Sequence, residues 1–363
     1  MNKSSRVAFF SRCLFTLLAF VFTACSGVSN DEDKKIEPAK GLAAKCQDGQ
    51  LAVEGSTNII GGQIVNSGSW LAKSTVMLIM RDASDPSSAE ICTGALVDRN
   101  VVLTAGHCVF GKAASQIFVF FHSKPECTAS GVIDFSKGIP VHRHAVHPSY
   151  KDGLILLSED YEILESPGDI ALIQLSTNAP QDWRTSMISA TYLDPKANLI
   201  LAAGFGKTTT AADIDDGEPI LLRGTYVPGL SAETKRRANL QMRNILQSDR
   251  QNVFLSKRAE ENLDRLLTLS NYFESNEQSP LLFVDQRGGS GICQGDSGGA
   301  AFARKNSKYY IIGVASFVSN PSQRDHLCSL VGAYTNTLKY KNWLNNEFLN
   351  MRSMQSSKTN LFE

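Results

Sequence analysis

From residue 59 onward the chain is broken into short apolar runs of five to ten residues, each closed by turn-forming residues; they cover 75–80, 95–104, 117–121, 170–175, 199–203 and 309–318. Runs this short are strands, and a chain built from many of them with turns between must close or stack its sheets to cover their edges. The expectation is an all-β fold, a sandwich or a pair of barrels. No internal repeat of fixed period occurs. With 363 residues, 42% apolar and 20% charged, the chain can bury a real core, which excludes a disordered or collagen-like protein. Thirty-six Lys and Arg cancel thirty-six Asp and Glu, so no basic excess exists to neutralise phosphates and nucleic acid is excluded as a partner.

Two segments depart from the strand pattern. Leu263, Leu266 and Leu267 follow Ser256 at helical spacing and predict a surface helix over 256–269; Trp343, Leu344, Phe348 and Leu349 predict a C-terminal helix. Lys235-Arg236-Arg237 reads as a solvated face or a strand end.

The N-terminus places Lys3, Arg6 and Arg12 before an uncharged, mostly apolar run from Cys13 to Cys25. That is the pattern of an export signal over residues 1–24, and as a helix of about 20 Å it is too short to span a bilayer core. Phe22-Thr23-Ala24-Cys25-Ser26 resembles a bacterial lipobox, in which Cys25 would be acylated and become the new N-terminus, although Phe22 stands where such boxes usually carry Leu. Ordinary cleavage after Ser26 is the alternative. Either route exports the protein to the cell envelope or the exterior, with membrane contact only through a lipid on Cys25. Residues 25–58 are polar and small and read as a tether and pro-segment. Six cysteines remain, Cys46, Cys92, Cys108, Cys127, Cys293 and Cys328, and with no Cys-x-x-Cys spacing they imply three disulfides rather than a zinc site.

Three motifs carry chemistry. In Gly295-Asp296-Ser297-Gly298-Gly299 the glycines let the backbone turn sharply and aim its N–H groups at a reacting oxygen. Leu103-Thr104-Ala105-Gly106-His107-Cys108 holds a histidine beside a cysteine, and Gly168-Asp169-Ile170-Ala171-Leu172 starts an apolar strand with an aspartate. With these in the order His, Asp, Ser, the chain from about Ile59 to about Leu349 resembles the chymotrypsin/trypsin-like serine endopeptidases.

The resemblance implies two six-stranded antiparallel barrels within residues 59–349, their boundary near 165–180, followed by a C-terminal tail at 350–363. It implies that Ser297 is the nucleophile, His107 the general base and Asp169 the group that orients it, with the N–H groups of Gly295 and Ser297 forming the oxyanion hole. It pairs Cys92 with Cys108 and Cys293 with Cys328, leaving Cys46 and Cys127 to bridge the pro-segment to the first barrel. It reads Asn58-Ile59-Ile60-Gly61-Gly62 as an activation junction, so that a cut after Asn58 frees the amine of Ile59 to pair with Asp296 and set Gly295; the uncut chain is then a zymogen. Asn58 stands where trypsin-activated relatives carry Arg or Lys, which leaves the activating protease unidentified.

The same resemblance puts Gly291 at the base of the specificity pocket beside Ile292, with Ser316 supporting Asp169 and Phe317, Val318 and Gly332 on the walls. No carboxylate stands at the base, and Val318 narrows the slot, which implies small or medium apolar side chains before the cut bond. Eighty-four residues separate Gly206 from Gly291, more than the family core needs, so an insertion is placed at 207–233. His142 and His144 alternate on a strand but lack acidic or cysteine companions, and His147-Pro148 matches a family pair, so no metal or other cofactor is expected. The first functional reading is a monomeric exported serine endopeptidase acting on proteins or peptides. The second is a binding or adhesion protein that keeps the fold and has lost turnover.

Overall fold

The computed structural model describes residues 42–47, 50–53, 59–82, 84–85, 87–121, 126–150, 168–207, 220–252, 264, 272–319, 328–352 and 360–363. The export signal, Cys25, Asn58 and, apart from Asp264, the helix expected over 256–269 lie outside the described residues. In chain order the strands are β1 (Leu42–Gln47), β2 (Gln50–Val53), β3 (Gln63–Ile64), β4 (Thr75–Arg81), β5 (Ser88–Asp98), β6 (Val101–Thr104), β7 (Ile117–Phe120), β8 (Ile139–Val146) and β9 (Ala171–Leu175). They continue with β10 (Ile200–Gly204), β11 (Arg223–Val227), β12 (Leu281–Asp285), β13 (Ala300–Lys305), β14 (Lys308–Ser319) and β15 (Val331–Asn336). Among the described residues they are accompanied by the α-helices α1 (Gly106–Val109), α2 (Ala232–Asn252) and α3 (Lys341–Met351).

The first barrel runs β5-β4-β7-β8-β9-β6 and closes through β5–β6 pairing, all antiparallel. Side chains on both faces of its strands, among them Val76, Leu78, Ile91, Leu96, Val102 and Leu172, are wholly buried, each contributing about 1.5–3 kcal/mol through removal from water. The second sheet runs β12-β15-β14-β13-β10-β11-β3. Its six long strands close by a bridge between Gly229 and Val284, supported by Leu230 N–H donating to Phe283 O at 3.2 Å and Asp285 N–H to Pro228 O at 2.9 Å. The two-residue β3 is an edge strand beyond that barrel.

Part of the expected tether is folded. β1 and β2 form a hairpin whose β1 pairs with β5, extending the first barrel's sheet at its edge, and Cys46 joins Cys127. The other pairs are Cys92–Cys108 and Cys293–Cys328, the connectivity the resemblance implied.

Residues 207–233 are not simply an insertion, because β11 within them is a strand of the second barrel. The unexpected addition is α2, which contains Lys235-Arg236-Arg237. Its basic cluster lies in a helix, not at a strand end: Lys235 pairs with Glu274, and Arg236 with Glu233 one turn back at 3.0 Å. Ser231 caps it, accepting from Thr234 N–H at 3.0 Å. Among its described side chains, Thr234, Ala238 and Met242 are buried. In α3 the buried residues are Leu344, Phe348 and Met351, whereas Leu349 is exposed. The C-terminal tail also docks, since Ile188 N–H donates to Leu361 O at 3.1 Å and Ala190 N–H to Glu363 O at 2.8 Å.

Candidate active site

The β6–β9 register pairs Thr104 with Ala171, so the turn after β6 and the residues before β9 face each other at one end of the first barrel. Past Thr104 the chain makes α1, a single helical turn whose first N–H groups have no partner within the helix. One of them, the backbone N–H of His107, donates to Asp169 Oδ1 at 2.8 Å, and the His107 ring Nδ1 lies 2.9 Å from Asp169 Oδ2. A single carboxylate therefore holds both the main chain and the ring of His107. The acid is fully buried and the histidine nearly so.

The second barrel completes this network. A bulge between Ala315 and Phe317 in the β14–β15 register leaves Ser316 as the extra residue. Its hydroxyl donates to Asp169 Oδ2 at 2.6 Å, and Thr335 Oγ1 donates to the Asp169 carbonyl at 2.8 Å. Asp169 is thus bound from both barrels. With Nδ1 engaged, His107 Nε2 remains buried and, among the described residues, without a hydrogen-bond partner.

Ser297 is half-buried in the turn before β13. Thr93 N–H donates to its carbonyl at 2.8 Å, Thr93 Oγ1 donates to Gly295 O at 2.9 Å, and Thr104 Oγ1 donates to Thr93 O at 2.9 Å. The serine turn is therefore pinned to the strands that lead into His107. At Gly298, where φ is +83°, an added Cβ would sit 2.1 Å from Thr104 Oγ1 and 3.0 Å from Ala105 N, which requires glycine. Among the described residues the N–H groups of Gly295 and Ser297 have no backbone acceptor. The hydroxyl of Ser297 is not bonded to His107 Nε2, a contact that in unliganded enzymes often tightens only on substrate binding. His107 also lies against the Cys92–Cys108 disulfide, with ligand-type atoms of the three within 4.8 Å; both sulfurs share a covalent bond, so neither is a thiolate that could hold a metal.

Asp296 points the other way. Wholly buried, it accepts from Gly206 N–H on Oδ1 and Cys293 N–H on Oδ2, both at 2.8 Å, and burial pushes its carboxyl up to about 7. Nearby, Ile59 is wholly buried in the second barrel's core, and Ile60 and Gly291 exchange N–H···O bonds at 3.1 Å in both directions.

Around Gly291, Val318 pairs with Gly332 and packs on Ile60, Cys293 and Cys328. Phe317 is half-buried, and Ile292 belongs to the core cluster of Ile59, Val284 and Tyr334. The side chain of Gln286, which directly follows β12, lies between Gly291 and Gly332. Sequence reading passed over Gln286, Thr93 and Thr335; only the adjacency of Thr93 to Cys92 could have drawn attention to any of them.

The structure does not give the histidines of β8 the alignment that the sequence suggests. A bulge between Val141 and Arg143 inserts His142 and breaks the alternation expected to align it with His144. Burial holds His144 and His147 below the usual imidazole range. His147 Nδ1 lies 2.8 Å from Ser149 Oγ, and its ring packs edge-on against Tyr340 and Trp343.

Comparison with known proteins adds independent observations. The family model described as Trypsin matches residues 59–255 and 266–344. Chymotrypsin-like elastase family member 1 of Rattus norvegicus is 23% identical over 299 residues, covering 81% of this chain and 90% of its own length. The protein of the same name from Bos taurus is 24% identical over 307 residues with the same coverage. Coagulation factor XI of Bos taurus is 22% identical over 289 residues, covering 79% of this chain and 37% of its own length.

Proposed function

The chain belongs to the trypsin family of serine proteases and is a serine endopeptidase, and from that premise we propose that Ser297, His107 and Asp169 carry its reaction in an exported enzyme. The observation that carries this reading is the His107 ring, fixed through Nδ1 by a buried carboxylate while Nε2 is left buried and unbonded. A ring held in that way carries its proton on Nδ1 and presents a lone pair on Nε2, the form needed to take the proton from Ser297. Ser297 Oγ attacks the peptide carbonyl, His107 passes the proton to the leaving amine, and water then hydrolyses the acyl-enzyme by the same route. The N–H groups of Gly295 and Ser297 receive the developing oxyanion, each contributing about 3–4 kcal/mol. A fluorophosphonate probe is expected to label the protein trimmed to Ile59 and to fail on Ser297→Ala. Absence of label after trimming favours a binding protein without turnover.

We also infer that the uncut chain is a zymogen. Asp296 is a wholly buried carboxyl held by two backbone N–H groups; a freed ammonium at Ile59, whose side chain is already packed in the adjacent core, would supply its counter-charge. The Cys46–Cys127 bridge would then keep the leader attached. After a cut between Asn58 and Ile59, electrophoresis is expected to give one band without reductant and two with it. Two bands without reductant overturn that pairing.

Three disulfides fit an oxidising compartment and support export. Lipidation at Cys25 is proposed from its lipobox-like surroundings alone. The lack of a carboxylate at Gly291 and the presence of Val318 support a preference for small or medium apolar side chains, in keeping with relatives named as elastases.

A further inference from the structure

We propose that Gln286 forms the floor of the slot that receives the substrate side chain before the cut bond, making that slot short and uncharged. The proposal rests on the reading of Ser297 as the nucleophile and deepens it. By sequence, glycines at 291 and 332 leave the base and far wall of the slot open. The structure fills that opening from a third position. A Cβ added at Gly291 would lie 2.3 Å from Gln286 Cδ, and one added at Gly332 would lie 2.3 Å from Gln286 Oε1. The carboxamide therefore occupies the volume into which side chains at both positions would project.

It is held there firmly. Gln286 is 1% exposed, and its own N–H donates to Leu330 O at 3.0 Å. Oε1 accepts from Ile292 N–H at 2.9 Å, while Nε2 donates to Ile292 O at 3.0 Å and Cys328 O at 2.6 Å. Both amide protons are consumed, so the floor offers no free donor and no charge. These bonds also satisfy three backbone groups that would otherwise be buried unpaired, which explains a polar residue in an apolar surround. Val318, opposite Gly332 and two residues beyond Ser316 in β14, closes the side. A guanidinium or ammonium entering this slot meets no carboxylate, and an aromatic ring meets the amide. The slot suits side chains of the size of alanine or valine.

The test is kcat/KM on peptides that differ only before the cut bond, carrying Ala, Val, Leu, Phe or Arg, with active sites counted by fluorophosphonate titration. The parent enzyme is expected to favour Ala and Val. Gln286→Ala is expected to raise the Phe-to-Ala ratio at least about tenfold, the scale on which pockets discriminate by methylene groups. Gln286→Met, which keeps the volume, is expected to leave that ratio within about threefold. Should Gln286→Ala fail to fold, Gln286→Asn carries the same direction of change. A purely structural role lowers kcat/KM for every peptide alike; unchanged ratios, or equal changes in the Ala and Met variants, overturn the assignment of Gln286 and leave the protease reading standing. A parent protein that neither takes the probe nor cleaves any peptide overturns both.

Discussion

Asn in place of Asp169 is expected to lower kcat by about 10⁴-fold, the loss found for the same change in the reference triad protease, while shifting the melting temperature by only a few degrees. The argument lies in where the amide protons must go. Asp169 Oδ1 accepts the backbone N–H of His107, and Oδ2 faces both His107 Nδ1 and the Ser316 hydroxyl. An asparagine keeps its oxygen on the backbone N–H, so its NH₂ takes the Oδ2 position. It then donates to Nδ1 and to Ser316 Oγ, so the serine hydroxyl turns from donor to acceptor and only its own proton loses its partner. The imidazole is forced into the opposite tautomer, with its proton on Nε2 facing the serine, where a lone pair is required. Folding is spared and proton transfer is lost. A kcat within tenfold of the parent would show that His107 does not depend on Asp169 for its tautomer, and the proposed mechanism would fall with it. Ser316→Ala removes only one of the three bonds to the carboxylate side chain and is expected to cost far less.

The features legible in the sequence were those where chemistry restricts the residue type. Strands with broad apolar faces, such as β4 and β7, announced themselves, as did the glycines around Ser297, where a side chain would collide with Thr104. The parts that escaped reading depend on tertiary neighbours. Among the described side chains of α2, Thr234, Ala238 and Met242 are buried, and the first turn is held by Ser231 and the Lys235–Glu274 pair. The bulges at His142 and Ser316 are single-residue register shifts that no local pattern encodes. Gln286 was invisible for a related reason: its significance comes from two glycines, 5 and 46 positions further along the chain, that make room for it. Likewise the 25–58 segment lacks strand-like hydrophobic runs, and its hairpin is fixed by pairing to the β5 edge and by Cys46.

In the uncut chain, kept intact on a Ser297→Ala background, stability is expected to fall between about pH 4 and pH 7, and cutting before Ile59 is expected to abolish that fall. The sign follows from Asp296. Burial raises its carboxyl to about 7 against an ordinary value near 3.8, so the folded chain retains a proton that the unfolded chain releases. The group's favourable contribution is complete below the unfolded value and is lost as pH rises through the folded one, on the order of 4 kcal/mol by pH 8. At roughly 2–4 °C per kcal/mol for a domain of this size, the melting temperature should drop by about 10 °C between pH 4 and pH 8. An Asp296→Asn variant of the uncut chain should show a much flatter profile. On the proposed activation, the ammonium of Ile59 would become the partner that the two backbone N–H groups cannot replace, Asp296 would ionise, and its contribution would instead be lost in acid. In the active background, Asp296→Asn would leave that ammonium buried without its counter-charge, a loss of about 3–5 kcal/mol that should appear as a drop of about 10²–10⁴ in kcat/KM if the pair holds Gly295 in its oxyanion-binding position. A melting temperature independent of pH in the uncut chain, or an Asp296→Asn enzyme with full activity after the cut, would separate Asp296 from activation and leave its burial a matter of packing alone.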